Sequence, residues 1–91
     1  MPEPIRRWII TPHAWREATR RGIPVDVIQL VVNRPEQRLW VRSGRLVHQR
    51  RVQFGYRMYL VRAFIDVDRE PNEVVTVYRS SKIAKYWRIE P

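Results

Sequence analysis

From Gln37 onward the chain is a succession of alternating stretches cut by turn residues, and this pattern limits the available folds more than any other. In Gln37–Arg42, Leu39 and Val41 fall on one side and Arg38, Trp40 and Arg42 on the other, the two-residue period of a strand. Ser43-Gly44 supplies a hairpin turn. Arg45–Phe54 alternates again, setting Leu46, His48, Arg50, Val52 and Phe54 against Val47, Gln49, Arg51 and Gln53. Gly55 marks the next turn. Residues 56–66 are the most apolar stretch, with Leu60, Val61, Ala63, Phe64 and Ile65, and are expected at the centre of the sheet. A polar loop (66–72) leads to a run of valines. There Val74, Thr76 and Tyr78 are expected on one face and Val75, Val77 and Arg79 on the other.

The first third reads differently. Residues 5–10 suit a short strand, after which Thr11-Pro12 opens a helix. Thr11 can cap it, and Pro12 fits the first helical position, where a missing N–H costs nothing. Ala14 and Ala18 mark a narrow packing face, widened by Trp15. Gly22 supplies a left-handed stop, followed by the hydrophobic Ile23. From Pro24 to Val32, the residues Val27, Ile28 and Val31 lie at helical spacing, and Asp26 complements the positive end of a helix dipole. Leu30 and Val32 make this segment apolar nearly all round, so a strand is the alternative. Asn33-Arg34-Pro35 ends it either way. The expected fold is α+β: two N-terminal helices on a mainly antiparallel sheet of four to five strands, with a short C-terminal helix. Ninety-one residues suit a single domain spanning 1–91.

Charge narrows the partners. Eighteen Lys and Arg against nine Asp and Glu leave a net charge of +9, and only Lys82 and Lys85 are lysines. The planar guanidinium pairs bidentately with phosphate, so the composition points to a polyanion or an acidic protein. The chain has no cysteine, hence no disulfide framework and no thiolate metal site. Trp8-Ile9-Ile10 is too short for a signal-peptide core and no stretch approaches a membrane span, so the expectation is a cytoplasmic protein without a membrane partner. Asp66-x-Asp68-x-Glu70 begins like a calcium loop, but Pro71 stands where the turn-forming Gly is needed. No cofactor and no metal is expected.

Several marks then coincide: His13-Ala14 at a helix start, Arg21-Gly22-Ile23, Asp26-Val27, Asn33-Arg34-Pro35, Ser43-Gly44-Arg45 and Val75-Thr76-Val77-Tyr78. In this order, over about residues 8 to 87, the chain resembles a family of small prokaryotic proteins placed near the RelE/ParE- and BrnT-type toxins, within the barnase/RelE-like class of metal-independent ribonucleases. Pro24 departs from the Ser- or Thr-type helix cap expected there. The resemblance implies an RNA-cleaving toxin of a toxin-antitoxin system, acting on mRNA or ribosome-associated RNA and held inactive by an acidic antitoxin.

Metal-free RNA cleavage needs a base for the 2′-hydroxyl proton, an acid for the leaving 5′-oxygen, and cations for the phosphorane. His13, in the first turn of a helix, can transfer a proton near neutral pH, or can simply bond a neighbouring loop. His48, among Leu46 and Val52, reads as a partly buried structural histidine. Arg62 interrupts the most apolar strand, so it either pairs with a carboxylate such as Asp66 or faces a site. Thr76 and Tyr78 share one face and can orient phosphate there. The expected catalytic set is His13, Arg62, Thr76 and Tyr78. Arg50, Arg57, Lys82, Lys85 and Tyr86 are the expected nucleic-acid contacts, the last two supported by the lysines and C-terminal tyrosine that join the site in proteins resembling RelE. Arg50 and Arg51 point to opposite faces, so at most one shares the site. In the helical turn after Ser80-Ser81, Lys82, Lys85 and Tyr86 are expected outside, with Ile83 and Trp87 inside. The alternative function is a non-catalytic basic module that binds nucleic acid or protein.

Overall fold

The computed structural model describes residues 3–89. Its elements run β1 (Trp8–Ile10), α1 (Pro12–Arg20), α2 (Val25–Asn33), β2 (Gln37–Arg42), β3 (Arg45–Phe54), β4 (Arg57–Asp66), β5 (Asn72–Ser80) and α3 (Ile83–Tyr86). The α+β class, the two N-terminal helices and the short C-terminal helix are as expected. The five strands form one sheet in the order β1-β5-β4-β3-β2, in which β2 to β5 make an antiparallel meander with β4 at its centre. β1 is shorter than expected and pairs parallel to β5, which makes the sheet mixed. Among the described residues, no helix is long and apolar enough to cross a membrane.

The helices form as their ends dictate. Thr11 Oγ1 accepts a hydrogen bond from Ala14 N (3.1 Å), and Pro12 opens the first turn. At the other end Ile23 N donates to Ala18 O (2.9 Å) and Gly22 N to Thr19 O (3.2 Å), a Schellman closure that needs the φ of +68° at Gly22. The Pro24–Val32 segment, for which a strand was the alternative, is helical. Pro24 stands at its N-cap with no side-chain bond to offer, and Asp26 occupies the first turn.

Ala14 and Ala18 let α1 lie close over β5, and Ile28, Val31 and Val32 of α2 complete the layer on Val61, Ala63, Ile65, Val74 and Val77. Each fully buried Val or Ile contributes about 1.5–3 kcal/mol relative to exposure. Trp15 does not widen this face: it stands 51% exposed. β5 also corrects the simple alternation. Phe64 pairs with Thr76 but Ile65 with Val74, so Val75 is an extra bulged residue. The bulge puts Val74 on the helix side with Val77, leaving Thr76 and Tyr78 on the other face.

That other face is not bare. Val47, Gln49 and Leu60 on it are fully buried, and α3 with the residues after it folds back across. Gln49 Nε2 donates to Tyr86 O (3.1 Å), Gln37 Nε2 donates to Arg88 O (2.6 Å), and Arg88 N donates to Gln37 Oε1 (3.0 Å).

Candidate nucleic-acid interface

Gln49, Arg62 and Tyr78 form a row across the three central strands, as direct register partners on β3, β4 and β5. Alternation turns Arg62 away from its buried neighbours Val61 and Ala63 and onto the face that α3 crosses. Its Nε donates to Gln49 Oε1 (2.9 Å) and its Nη1 to the Tyr78 hydroxyl (2.7 Å). The guanidinium carbon sits 4.4 Å from the ring centroid of Tyr86, 5.3 Å from Phe64 and 5.8 Å from Tyr78. The rings support one another: Phe64 stacks on Tyr78 at 5.9 Å, and Tyr86 meets Tyr78 edge-on at 6.2 Å.

Among the described residues, no carboxylate lies within ion-pair distance of Arg62. Asp66, its sequence-level alternative, is clamped by Arg45 through Nε–Oδ1 (2.6 Å) and Nη2–Oδ2 (3.0 Å), which also holds the Asp66 carboxyl below the usual carboxylate range. A half-buried cation held by neutral oxygens and aromatic faces keeps its full charge for an incoming anion, and two bonds leave most of the five guanidinium N–H groups uncommitted. Arg62 is thus a positioned guanidinium with donors to spare.

Gln49 does the positioning. It is completely buried, its oxygen receiving Arg62 while its nitrogen donates to Gln37 Oε1 (2.7 Å) and Tyr86 O. Arg51, one strand step away, stacks 4.4 Å over Trp87 and grips Glu36 through Nη2–Oε2 (2.8 Å), and these hydrogen bonds hold the Glu36 carboxyl at about 2. The Tyr86 phenol is lowered below its ordinary value, first by hydrogen bonding with Lys85, then with Tyr78, and by the charges of Lys85 and Arg62.

The cluster gathers Arg62, Tyr78, Lys85 and Tyr86 from the expected set, and Tyr86 turns inward over Arg62 instead of pointing to solvent. Thr76 shares the face opposite Phe64, beside the cluster. His13 does not join. It is exposed on α1, a helix whose Ala14 and Ala18 pack against the opposite side of the sheet, so the sheet stands between it and Arg62. Arg50 also faces the helices, donating from Nη1 to Arg34 O (2.7 Å) at the C-terminus of α2. Arg57 pairs with Phe54 in the register and so belongs to the helix side, exposed at the β3–β4 hairpin. Lys82 is exposed just before α3, its backbone N bonded to Ser80 Oγ (3.1 Å).

His48 is the structural histidine anticipated. It is 1% exposed, donates from Nδ1 to Val32 O (2.9 Å), and accepts Arg38 Nε at Nε2 (3.0 Å). Burial, with the Arg38 charge adding to it, pushes it down to about 4, so it is neutral at pH 7. Gln37 and Gln49 escaped the sequence reading because glutamine in an alternating strand carries no chemistry by itself. The available signal was Gln49, a polar residue in the middle of the strand next to the Arg62-bearing one. No family model, curated protein or solved structure matches this chain.

Proposed function

We infer that this chain is a metal-independent endoribonuclease of the toxin kind, acting through the sheet face crossed by α3. The observation carrying the reading is the half-buried Arg62, held by Gln49 and Tyr78 without a carboxylate and roofed by Tyr86 beside Lys85. A guanidinium so held receives a phosphodiester, and the surrounding rings suit stacking with unpaired bases. In this reading the ionised fraction of Tyr86 takes the 2′-hydroxyl proton and O2′ attacks phosphorus. The Lys85 ammonium gives its proton to the departing 5′-oxygen, leaving a 2′,3′-cyclic phosphate and a 5′-hydroxyl. Proton exchange between the neighbouring Tyr86 and Lys85 restores the starting state. Arg62 carries the phosphorane charge, and Tyr78 orients Arg62.

A second reading, binding without cleavage, is favoured by the position of the two imidazoles, one on the opposite layer and one buried and committed. Incubation with single-stranded RNA in EDTA decides between them. Cyclic-phosphate ends that disappear in Tyr86→Phe and in Arg62→Met support the enzyme. Intact RNA that is nonetheless bound, with binding lost in Arg62→Met, supports the binding module. Neither cleavage nor salt-sensitive binding sinks both.

A further inference from the structure

The helix-side face of the sheet holds a second arginine that the RNA reading does not use. Arg79 is half-buried on β5, in one row with Arg50, since both are register partners of Val61. Its guanidinium carbon lies 4.4 Å from the ring centroid of Phe54 and 4.7 Å from that of Tyr59, and those rings brace each other edge-on at 5.5 Å. A ring face holds a cation without taking a conventional hydrogen bond from it. Among the described residues no carboxylate lies within ion-pair distance of Arg79, and no acceptor takes a hydrogen bond from its side chain. Its neighbours differ: Arg21 is committed to Glu17 Oε1 (3.1 Å) and Val77 O (2.9 Å), and Arg50 to Arg34 O (2.7 Å). The acids of α1 and α2 are engaged elsewhere, Glu17 with Arg20 and Arg21, and Asp26 with Val27 N of its own helix (3.1 Å). Residues 50–65 and 74–89 contain no Asp or Glu. Gly22, exposed between α1 and α2, leaves the space beside Arg79 Nη2 without a side chain; a Cβ there would stand 3.8 Å from that nitrogen.

We propose that Arg79 and the open corner at Gly22 form a binding site for a single phosphoryl group, presented by a small soluble phosphate or phosphomonoester. Taking a charge out of water is costly unless partners replace the water. The two rings shield the guanidinium and fix its direction, yet its N–H groups keep no protein acceptor. A phosphate supplies what is missing, because two of its oxygens accept parallel N–H bonds from the planar fork. Charge separates it from a carboxylate. A phosphomonoester carries nearly two negative charges at neutral pH and a carboxylate one, and the acid-free surroundings, with Arg50 and Arg57 on the same face, favour the dianion. A nucleic-acid strand is disfavoured: it presents successive phosphates of one charge each, whereas Arg79 is a single fixed guanidinium beside arginines already bonded to backbone oxygens. The site lies across the sheet from Arg62, so it neither rests on the RNA reading nor competes with it.

The test titrates the isotope-labelled full chain with sodium phosphate and, separately, with AMP, at neutral pH and constant ionic strength, and follows the Gly22 amide and the Arg79 Nε–H by NMR. Expected are saturable shifts centred on these two groups with a dissociation constant of roughly 0.1–1 mM, weakened roughly tenfold or more in Arg79→Gln and unchanged in Arg62→Met. Arg79→Lys keeps the charge and the stem, so it tests the planar fork even if Arg79→Gln loosens the packing of Phe54 and Tyr59; it too should bind several-fold more weakly. Both ligands support the site: tighter binding of AMP identifies an ester as the occupant, and equal binding identifies free phosphate. Acetate should give no saturable shift at these groups. Shifts that lie elsewhere or do not saturate, acetate binding as tightly as phosphate, affinity retained in Arg79→Gln, or displacement of AMP by a single-stranded RNA oligonucleotide with hydroxyl ends would each overturn the proposal.

Discussion

Gln49→Leu is the perturbation on which the candidate site depends most directly. The side chain is completely buried and makes three hydrogen bonds: one from the charged Arg62, one to Gln37 and one to the backbone oxygen of Tyr86. A hydrogen bond to a charged group contributes about 1.5–3 kcal/mol and each neutral one about 0.5–1.5 kcal/mol. Part of this is recovered, since leucine buries apolar surface, the half-exposed Arg62 can bond water, and Gln37 Oε1 keeps Arg88 N. The net loss should be roughly 2–3 kcal/mol. In a domain of this size that lowers Tm by about 10–20 °C. Urea denaturation measures the loss, and amide exchange locates it, because α3 and Trp87 should exchange faster while the helix-side core keeps its protection. RNA affinity should fall with them as Arg62 loses its orientation. A stability change under about 1 kcal/mol, with unchanged exchange in residues 83–88, would refute the role given to Gln49.

Other outcomes follow from the same geometry. Arg62→Met should weaken RNA binding across sequences and reduce the slope of log affinity against log salt by about one, read by fluorescence anisotropy over a salt series. His13→Ala should leave both RNA cleavage and stability unchanged, because the side chain is exposed on the far layer; a large loss of cleavage would displace the site from Arg62. His48, at about 4 in the fold against 6.5 unfolded, contributes stability that is fully present above pH 6.5 and is lost as pH falls towards 4, in total roughly 3 kcal/mol. Denaturation midpoints should fall through that window, and His48→Gln should flatten the dependence. Gly22→Ala should cost about 1 kcal/mol by thermal denaturation, from the φ of +68° alone, since the added Cβ would meet only ordinary contact with Arg79.

The elements were legible in the chain because local chemistry sets them. Thr11-Pro12 and Gly22 bound α1, the turns at Gly44 and Gly55 separate the strands, and the apolar residues of β4 mark it as central. Arg62 and Tyr78 were legible as a pair for the same reason, each being a polar position on a strand face. The bulge at Val75 was not. A slipped register has the same composition as a regular one, and only the pairing with Phe64 and Ile65 reveals it. Nor could alternation say which layer His13 joins, because an exposed residue in a first helical turn reads alike on either side of a sheet.

What the sequence determined by itself was the α+β class, the meander, the surplus of nine positive charges, and the placing of Arg62 and Tyr78 on strand faces. Only the tertiary structure decided which cations find no carboxylate among the described residues. Arg45 takes Asp66 and Glu36 takes Arg51, whereas Arg62 is left with rings and neutral oxygens on one face and Arg79 with rings on the other. The physical reason is that ion pairing depends on separations of a few ångströms between residues distant in the chain, and the return of α3 over the sheet sets those separations around Arg62.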